Sequence, residues 1–250
     1  MAILERIDHT LGVVELRLNR PDKKNALTRD MYALLVEQLN AAAEDDTTRA
    51  LLISGEGDAF CAGNDIADFL SGAQDPRQLQ IIIRFLHTLV DFPKPLLAAV
   101  HGDAVGIGTT VLLHCDTVIA ADTLKCQMPF VRLGLVPEGG SSLLLPQRLG
   151  QRLAFELLVE GKPFGAAEAM QLGLVNQVVT ASDLANLALA RASAIAALPP
   201  DAVRISKKML KAQQRDELHS VIDAEAKLFA QRLSSPEAQS AFMAFLNTNN

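Results

Sequence analysis

The sequence predicts an α/β fold, with an α/β core followed by a helical tail. Short apolar runs of strand length alternate with longer segments of helical spacing over the first two thirds of the chain. After Asp183 only the helical pattern recurs. Hydrophobic residues make up 49% of the 250 and charged residues 21%, enough apolar material for one sizeable core. The division expected is a core over residues 1–185 and a helical region over 186–250.

Ile3–Ile7 and Val13–Asn19 read as strands, with Gly12 in the turn of a hairpin. Thr28 is placed to cap a helix running to Glu44, because Met31, Leu34, Leu35 and Leu39 recur at helical spacing. Ala50–Ile53 is a short buried strand, followed by a Gly- and Asp-rich loop over Gly55–Asn64. Ser71–Pro76 reads as a flexible connection. Leu79–Val90 forms an apolar helix, which Pro93 and Pro95 close, and Leu96–Val100 is a second buried strand. Gly102–Gly108 is a second loop, opening a helix over Ile107–His114. Thr117–Ala120 is a strand. Ser141–Leu145, Arg152–Val159 and Ala166–Leu172 are helical, with Gly173 stopping the last. Val175–Val179 is the final strand. The tail is helical, interrupted at Pro199-Pro200 and Pro236.

Composition excludes several function classes. A net charge of −6, 4% aromatic residues and no Trp argue against a nucleic-acid binder. Cys61, Cys115 and Cys126 form no CxxC pair and are odd in number, so neither a metal site nor a disulfide framework is expected. No charge-free apolar stretch reaches the ~18 residues of a membrane span. The N-terminus lacks the pattern of a secretory signal and FLNTNN is not a targeting motif, so a cytoplasmic location is the expectation.

One pattern repeats. A buried strand, a glycine-containing loop and a helix follow one another around Leu51–Asp65 and again around Leu96–Leu113. Turns of this kind leave backbone N–H groups free, and two of them side by side can direct two donors at one oxygen. On loop chemistry alone, ordinary tight turns are the better reading.

The residues add specificity. Phe60-Cys61-Ala62-Gly63-Asn64-Asp65-Ile66 resembles the first oxyanion-loop motif of the crotonase (enoyl-CoA hydratase/isomerase) superfamily, and His101-Gly102-Asp103-Ala104-Val105-Gly106-Ile107-Gly108 resembles its second. Arg20-Pro21, Asn25-Ala26-Leu27, Pro93-Lys94-Pro95, Cys115-Asp116, Leu133-Gly134-Leu135 and Gly161-Lys162-Pro163-Phe164 follow the family order. Each motif is weak alone; the ordered set is strong.

The resemblance implies a crotonase-type spiral of ββα units, with the C-terminal helices assembling a homotrimer or a dimer of trimers. It implies an acyl-CoA thioester as the small-molecule partner, with coenzyme A part of the substrate and no separate cofactor. The Ala62 and Ile107 N–H groups correspond to the oxyanion donors. Lys24, Ala26, Leu27, Ala62, Gly63, Asn64, Asp65, Ile66, Gly106, Phe130 and Leu133 correspond to the coenzyme A and substrate cleft, with Lys23 and Lys24 candidates for phosphates.

The departures bear on the reaction. Family hydratases carry two glutamates where this chain has Thr110 and Phe130. Hydration needs one group to activate water and another to deliver a proton, and neither side chain can serve. Met128-Pro129-Phe130 and Leu133-Gly134-Leu135-Val136-Pro137-Glu138-Gly139-Gly140 instead resemble the peroxisomal-type Δ3,Δ2-enoyl-CoA isomerase branch, which implies that Glu138 is the catalytic base. Phe130, Leu133 and Ile82 are expected to desolvate it. Without that resemblance, Glu138 reads as a charge before a helix starting at Ser141. Another crotonase reaction, including hydration, and a non-catalytic acyl-CoA-binding module are the alternatives.

Overall fold

The computed structural model describes residues 2–68 and 76–248, and statements of number or absence below refer to these. The predicted Ser71–Pro76 connection lies outside them except for Pro76.

β1 (Leu4–Asp8) and β2 (Val13–Leu18) pair antiparallel, and β3 (Ala50–Gly55), β4 (Leu96–Val100), β6 (Thr117–Ala121) and β9 (Gln177–Val179) extend the sheet in parallel, in the order β1-β2-β3-β4-β6-β9. β4 and β6 are buried along their whole length, as expected of central parallel strands covered on both faces. A second sheet joins β5 (Asp103–Val105), β7 (Lys125–Gln127) and β8 (Phe164–Gly165). Sequence reading placed β5 within a loop, because three residues carry too little alternation to register as a strand.

α1 (Arg29–Glu44) begins where expected. Thr28 Oγ1 accepts from the Met31 N–H at 3.3 Å, and Met31, Tyr32, Leu35, Val36, Leu39 and Ala42 form its buried stripe. α2 (Pro76–Asp91) packs beside it, with Phe85 meeting Tyr32 edge-on at 5.3 Å between ring centroids. α3 (Ile107–Thr110) is a single turn that tightens into a 3-10 turn over Val111–His114. α4 (Ser141–Leu149) runs four residues beyond the predicted end, through Pro146. α5 (Gln151–Leu158) and α6 (Ala166–Gln171) follow.

The tail forms α7 (Leu184–Ala196), α8 (Pro200–Lys211), α9 (Arg215–Leu233) and α10 (Pro236–Thr248). The boundary expected after residue 185 falls inside α7. Leu184, Ala188, Ala192 and Ala196 of that helix pack on Val13, Leu52, Leu97 and Ile119 of the sheet, so α7 completes the core. The opposite face of the sheet meets α1 and α2 in the larger apolar cluster. No helix is long and apolar enough to cross a membrane, and no group of three or more His, Cys, Asp or Glu side chains is arranged to hold a metal ion.

Candidate active site

β3 and β4 are parallel neighbours, so the loops that leave their C-terminal ends emerge side by side. The loops are stitched together at the Cys61–Ala104 bridge. The Cys61 N–H donates to the Asp103 carbonyl at 3.0 Å, and the Val105 N–H donates to the Cys61 carbonyl at 2.9 Å. The repeated strand–loop–helix pattern in the sequence therefore becomes one paired structure.

A third segment closes on the first loop. Leu27 bridges Asn64, with the Leu27 N–H donating to the Gly63 carbonyl at 2.8 Å and the Asp65 N–H to the Leu27 carbonyl at 2.9 Å. Asn25 is fully buried and donates through Nδ2 to the carbonyls of Glu56 and Ala59. Asp65 pairs with Arg20 at 2.7 Å, and Ile66 packs half-buried against the core. Lys24, Ala26, Leu27, Gly63, Asn64 and Asp65 thus share one rim.

The two predicted oxyanion donors differ. No described group accepts from the Ile107 N–H at the start of α3. Gly106, just before it, adopts φ 55° and ψ −118°, a conformation closed to residues with a side chain. The Ala62 N–H already donates to the Lys24 carbonyl at 2.9 Å. Ala62 can serve an oxyanion only when that bond opens. The Lys24 ammonium is also engaged, pairing with Asp103 at 2.8 Å, so a phosphate there would compete with a carboxylate.

Glu138 sits between Pro137 and the pair Gly139 and Gly140, whose φ angles are 71° and 74°. Left-handed backbone at two successive residues turns the chain sharply before α4. A Cβ at Gly139 would stand 3.1 Å from Thr110 Oγ1, and one at Gly140 would stand 2.3 Å from Leu218 Cδ1, so the turn lies flush on α3 and α9.

The Glu138 carboxyl lines a cavity of about 40 Å³ with Asn64, Leu79, Ile82, Leu86, Ile222 and Phe229. So small and apolar a space hydrates a carboxylate poorly. Burial pushes the Glu138 pKa up, the hydrogen bond donated by Thr110 Oγ1 to Oε1 at 2.5 Å pulls it partly back, and the nearby Glu225 charge raises it further; the result is about 8. Ile82 lines the cavity as expected. Phe130 and Leu133 do not: Phe130 lies beside Gly106, and Leu133 packs against the core. Helices α2 and α9 supply the apolar walls instead.

Residues that sequence reading missed complete the site. Tyr32, buried in α1, donates its hydroxyl to Asn64 Oδ1 at 2.6 Å and so fixes the amide. Burial first, then the charges of Glu138 and Cys61, holds this phenol well above its usual range, so it remains a donor. His114 Nε2 donates to the Gly139 carbonyl at 2.8 Å; burial lowers its pKa to about 4 and keeps the ring neutral. Glu225 of α9 accepts from the Gly140 N–H at 2.6 Å and the Ser142 N–H at 2.9 Å. The only signal for Tyr32 was its place on the buried stripe of α1, and nothing local marked Glu225.

The sequence matches the family profile described as Enoyl-CoA hydratase/isomerase over residues 8–250. The chain belongs to the enoyl-CoA hydratase/isomerase family. Within that family it is 37% identical over 240 residues to enoyl-CoA delta isomerase 2 of Rattus norvegicus, covering 94% of this chain and 61% of that protein. It is 36% identical over 242 residues to 1,2-epoxyphenylacetyl-CoA isomerase of Escherichia coli K12, covering 93% and 92%. The structure of Pseudomonas aeruginosa OdaA superposes with a TM-score of 0.94 at 44% identity, covering 98% and 99% of the two chains. Relatives named as hydratases are also matched. The chain spans about three fifths of the length of the rat and human delta isomerases. Family membership places it on the crotonase fold.

Proposed function

We propose that this chain is a Δ3,Δ2-enoyl-CoA isomerase. The observation that carries the reading is Glu138: one buried carboxyl lining an apolar cavity beside the paired loops, with a pKa near that of a proton shuttle.

The substrate is a 3-enoyl-CoA. Glu138 in its ionised form takes a proton from C2, which the thioester carbonyl acidifies. The C2 electrons delocalise through the carbonyl and the C3–C4 double bond, giving a dienolate with negative charge on the thioester oxygen. The Ile107 N–H receives that charge, joined by the Ala62 N–H once the Lys24 carbonyl gives way. The Glu138 carboxylic acid then returns the proton at C4, leaving a conjugated 2-enoyl-CoA and an ionised Glu138. One base suffices because the net change is a proton shift.

Hydration is disfavoured by the cavity lining. It contains no second carboxyl, and both oxygens of the nearest one, Glu225, accept backbone N–H groups. A non-catalytic binding module would have no use for a carboxyl whose burial disfavours its ionised form. Assembly as a homotrimer or a dimer of trimers is part of the same reading, supported by the apolar residues Ile205, Met209 and Leu210 that α8 exposes.

The test is turnover of trans-3-hexenoyl-CoA by the purified protein, read as absorbance of the conjugated 2-enoyl thioester, with Glu138→Gln beside it. Turnover lost in the variant supports the reading. Undiminished turnover in Glu138→Gln removes Glu138 as the base, and an inactive wild type that still binds acyl-CoA points to the binding module.

A further inference from the structure

Glu225 lies 85 residues from the turn it contacts. Its carboxyl is buried, and Oε2 and Oε1 accept from the Gly140 and Ser142 N–H groups at 2.6 and 2.9 Å. These are donors that the start of α4 leaves free, and no side chain of α4 or its preceding turn caps them. The same face of α9 presents Leu218 to Gly140, and Ile222, Ala226 and Phe229 to the cavity. One helix therefore walls the cavity, seals the turn and binds its backbone two residues from Glu138.

We propose that Glu225 is a positioning residue for the isomerase reaction: from α9 it clamps the turn that carries Glu138 and sets a second negative charge behind the base. The inference rests on Glu138 being that base. A purely structural cap would need only hydrogen bonding. A buried carboxylate also brings charge: burial raises the Glu225 pKa, the bonds from the Ser142 and Gly140 N–H groups pull it back, and in its ionised form it acts with burial to raise the proton affinity of Glu138.

The other titratable groups near this pair are accounted for. Tyr32 of α1 keeps its proton, and Cys61 of the first loop has its thiol pushed up to about 12 by burial. His114 stays neutral behind Gly139, with Lys211 of α8 acting on its far side. Arg84 on α2 and Asp223 and Lys227 on α9 are exposed, while His87, His219 and Asp91 bond to one another or to Asp223 along the outer seam of the two helices. Glu225 is thus the charged neighbour that acts on Glu138.

The experiment compares Glu225→Gln, Glu225→Asp and Glu138→Gln with wild type, measuring kcat and KM for trans-3-hexenoyl-CoA from pH 6 to 10. Gln keeps the reach and one of the two acceptor oxygens and removes the charge, so the rising limb of the rate profile moves to lower pH. Asp keeps the charge and shortens the reach, so the limb stays while kcat falls by about tenfold with KM little changed, the usual result of a misplaced base. Both variants retain an acceptor for the turn and should fold. If the limb of Glu225→Gln coincides with wild type, whatever its rate, Glu225 is only a cap and the proposal fails. Full turnover by Glu138→Gln overturns the base assignment, a separate failure that takes this proposal with it.

Discussion

The Thr110 hydroxyl donates to Oε1 of Glu138 across 2.5 Å. In the sequence resemblance, Thr110 corresponds to a glutamate of the family hydratases. A second carboxyl there would face Glu138 directly, and two buried carboxylates in contact resist joint ionisation. The hydroxyl instead favours the ionised base.

Replacing that donor should raise the pH at which the enzyme works. In Thr110→Val, Glu138 keeps its burial and loses its donor, so the rising limb of kcat/KM moves to higher pH. The rate at pH 7.5 is expected to drop roughly tenfold, in line with the ~1.5–3 kcal/mol of a hydrogen bond to a charged group. Thr110→Ser should stay close to wild type. A pH–rate series on both variants is the check, and an unmoved limb in Thr110→Val would break the link between the two residues.

Glu138 should cost the fold stability in alkali. Its pKa is raised from 4.5 to about 8, so the native state holds a proton that the unfolded state has released. Stability from this group is fully present below about pH 4.5 and is lost as pH rises through about 8, a change on the order of a few kcal/mol. Glu138→Gln should therefore be more stable than wild type at pH 9 and nearly equal at pH 5. Urea unfolding at the two pH values decides this.

His114 sets the opposite, acid-side dependence. Its pKa falls from 6.5 to about 4, so its contribution is present above pH 6.5 and is lost as pH drops through about 4. In acid the bond to the Gly139 carbonyl persists, and the cost comes from placing a charge on the buried ring behind the Glu138 turn. Thermal unfolding from pH 7 to 4 should decline less steeply in His114→Gln, which retains a donor.

Gly140→Ala should injure both stability and activity. The added Cβ meets Leu218 Cδ1 at 2.3 Å and must accept a φ of 74°. The combined strain is about 1–3 kcal/mol, and it falls on the turn that aims Glu138. Leu218→Ala in the same chain should restore part of the activity by making room. A double variant no better than Gly140→Ala would locate the damage in the backbone angle alone.

Tyr32→Phe removes the hydroxyl that fixes Asn64 and keeps the ring that meets Phe85. A loss of about 1 kcal/mol in stability is expected, with a several-fold fall in kcat as the amide reorients. Calorimetry and the hexenoyl-CoA assay measure the two separately.

Much of the fold was legible because period and punctuation are local. The buried runs at Ala50–Gly55, Leu96–Val100 and Thr117–Ala121 are strands, Thr28 caps α1, and the breaks at Pro199-Pro200 and Pro236 separate tail helices. The motif order was enough to name the family and to single out Glu138. Strands β5, β7 and β8 escaped notice because two or three residues show no pattern until a partner is beside them.

By itself, the sequence determined the longer helices and strands, the repeat of a strand, a glycine-containing loop and a helix, and the family motifs from which Glu138 was singled out. Only the tertiary structure decided what surrounds that carboxyl. It put α2 and α9 around Glu138 where Phe130 and Leu133 were expected, made α7 part of the core, gave the Ala62 N–H to Lys24, and brought Glu225 onto the turn from α9. The reason is physical. A helix or a turn is specified by neighbours within a few residues, whereas desolvation, a blocked donor and a charge behind a base arise from atoms that meet only after the chain has closed on itself.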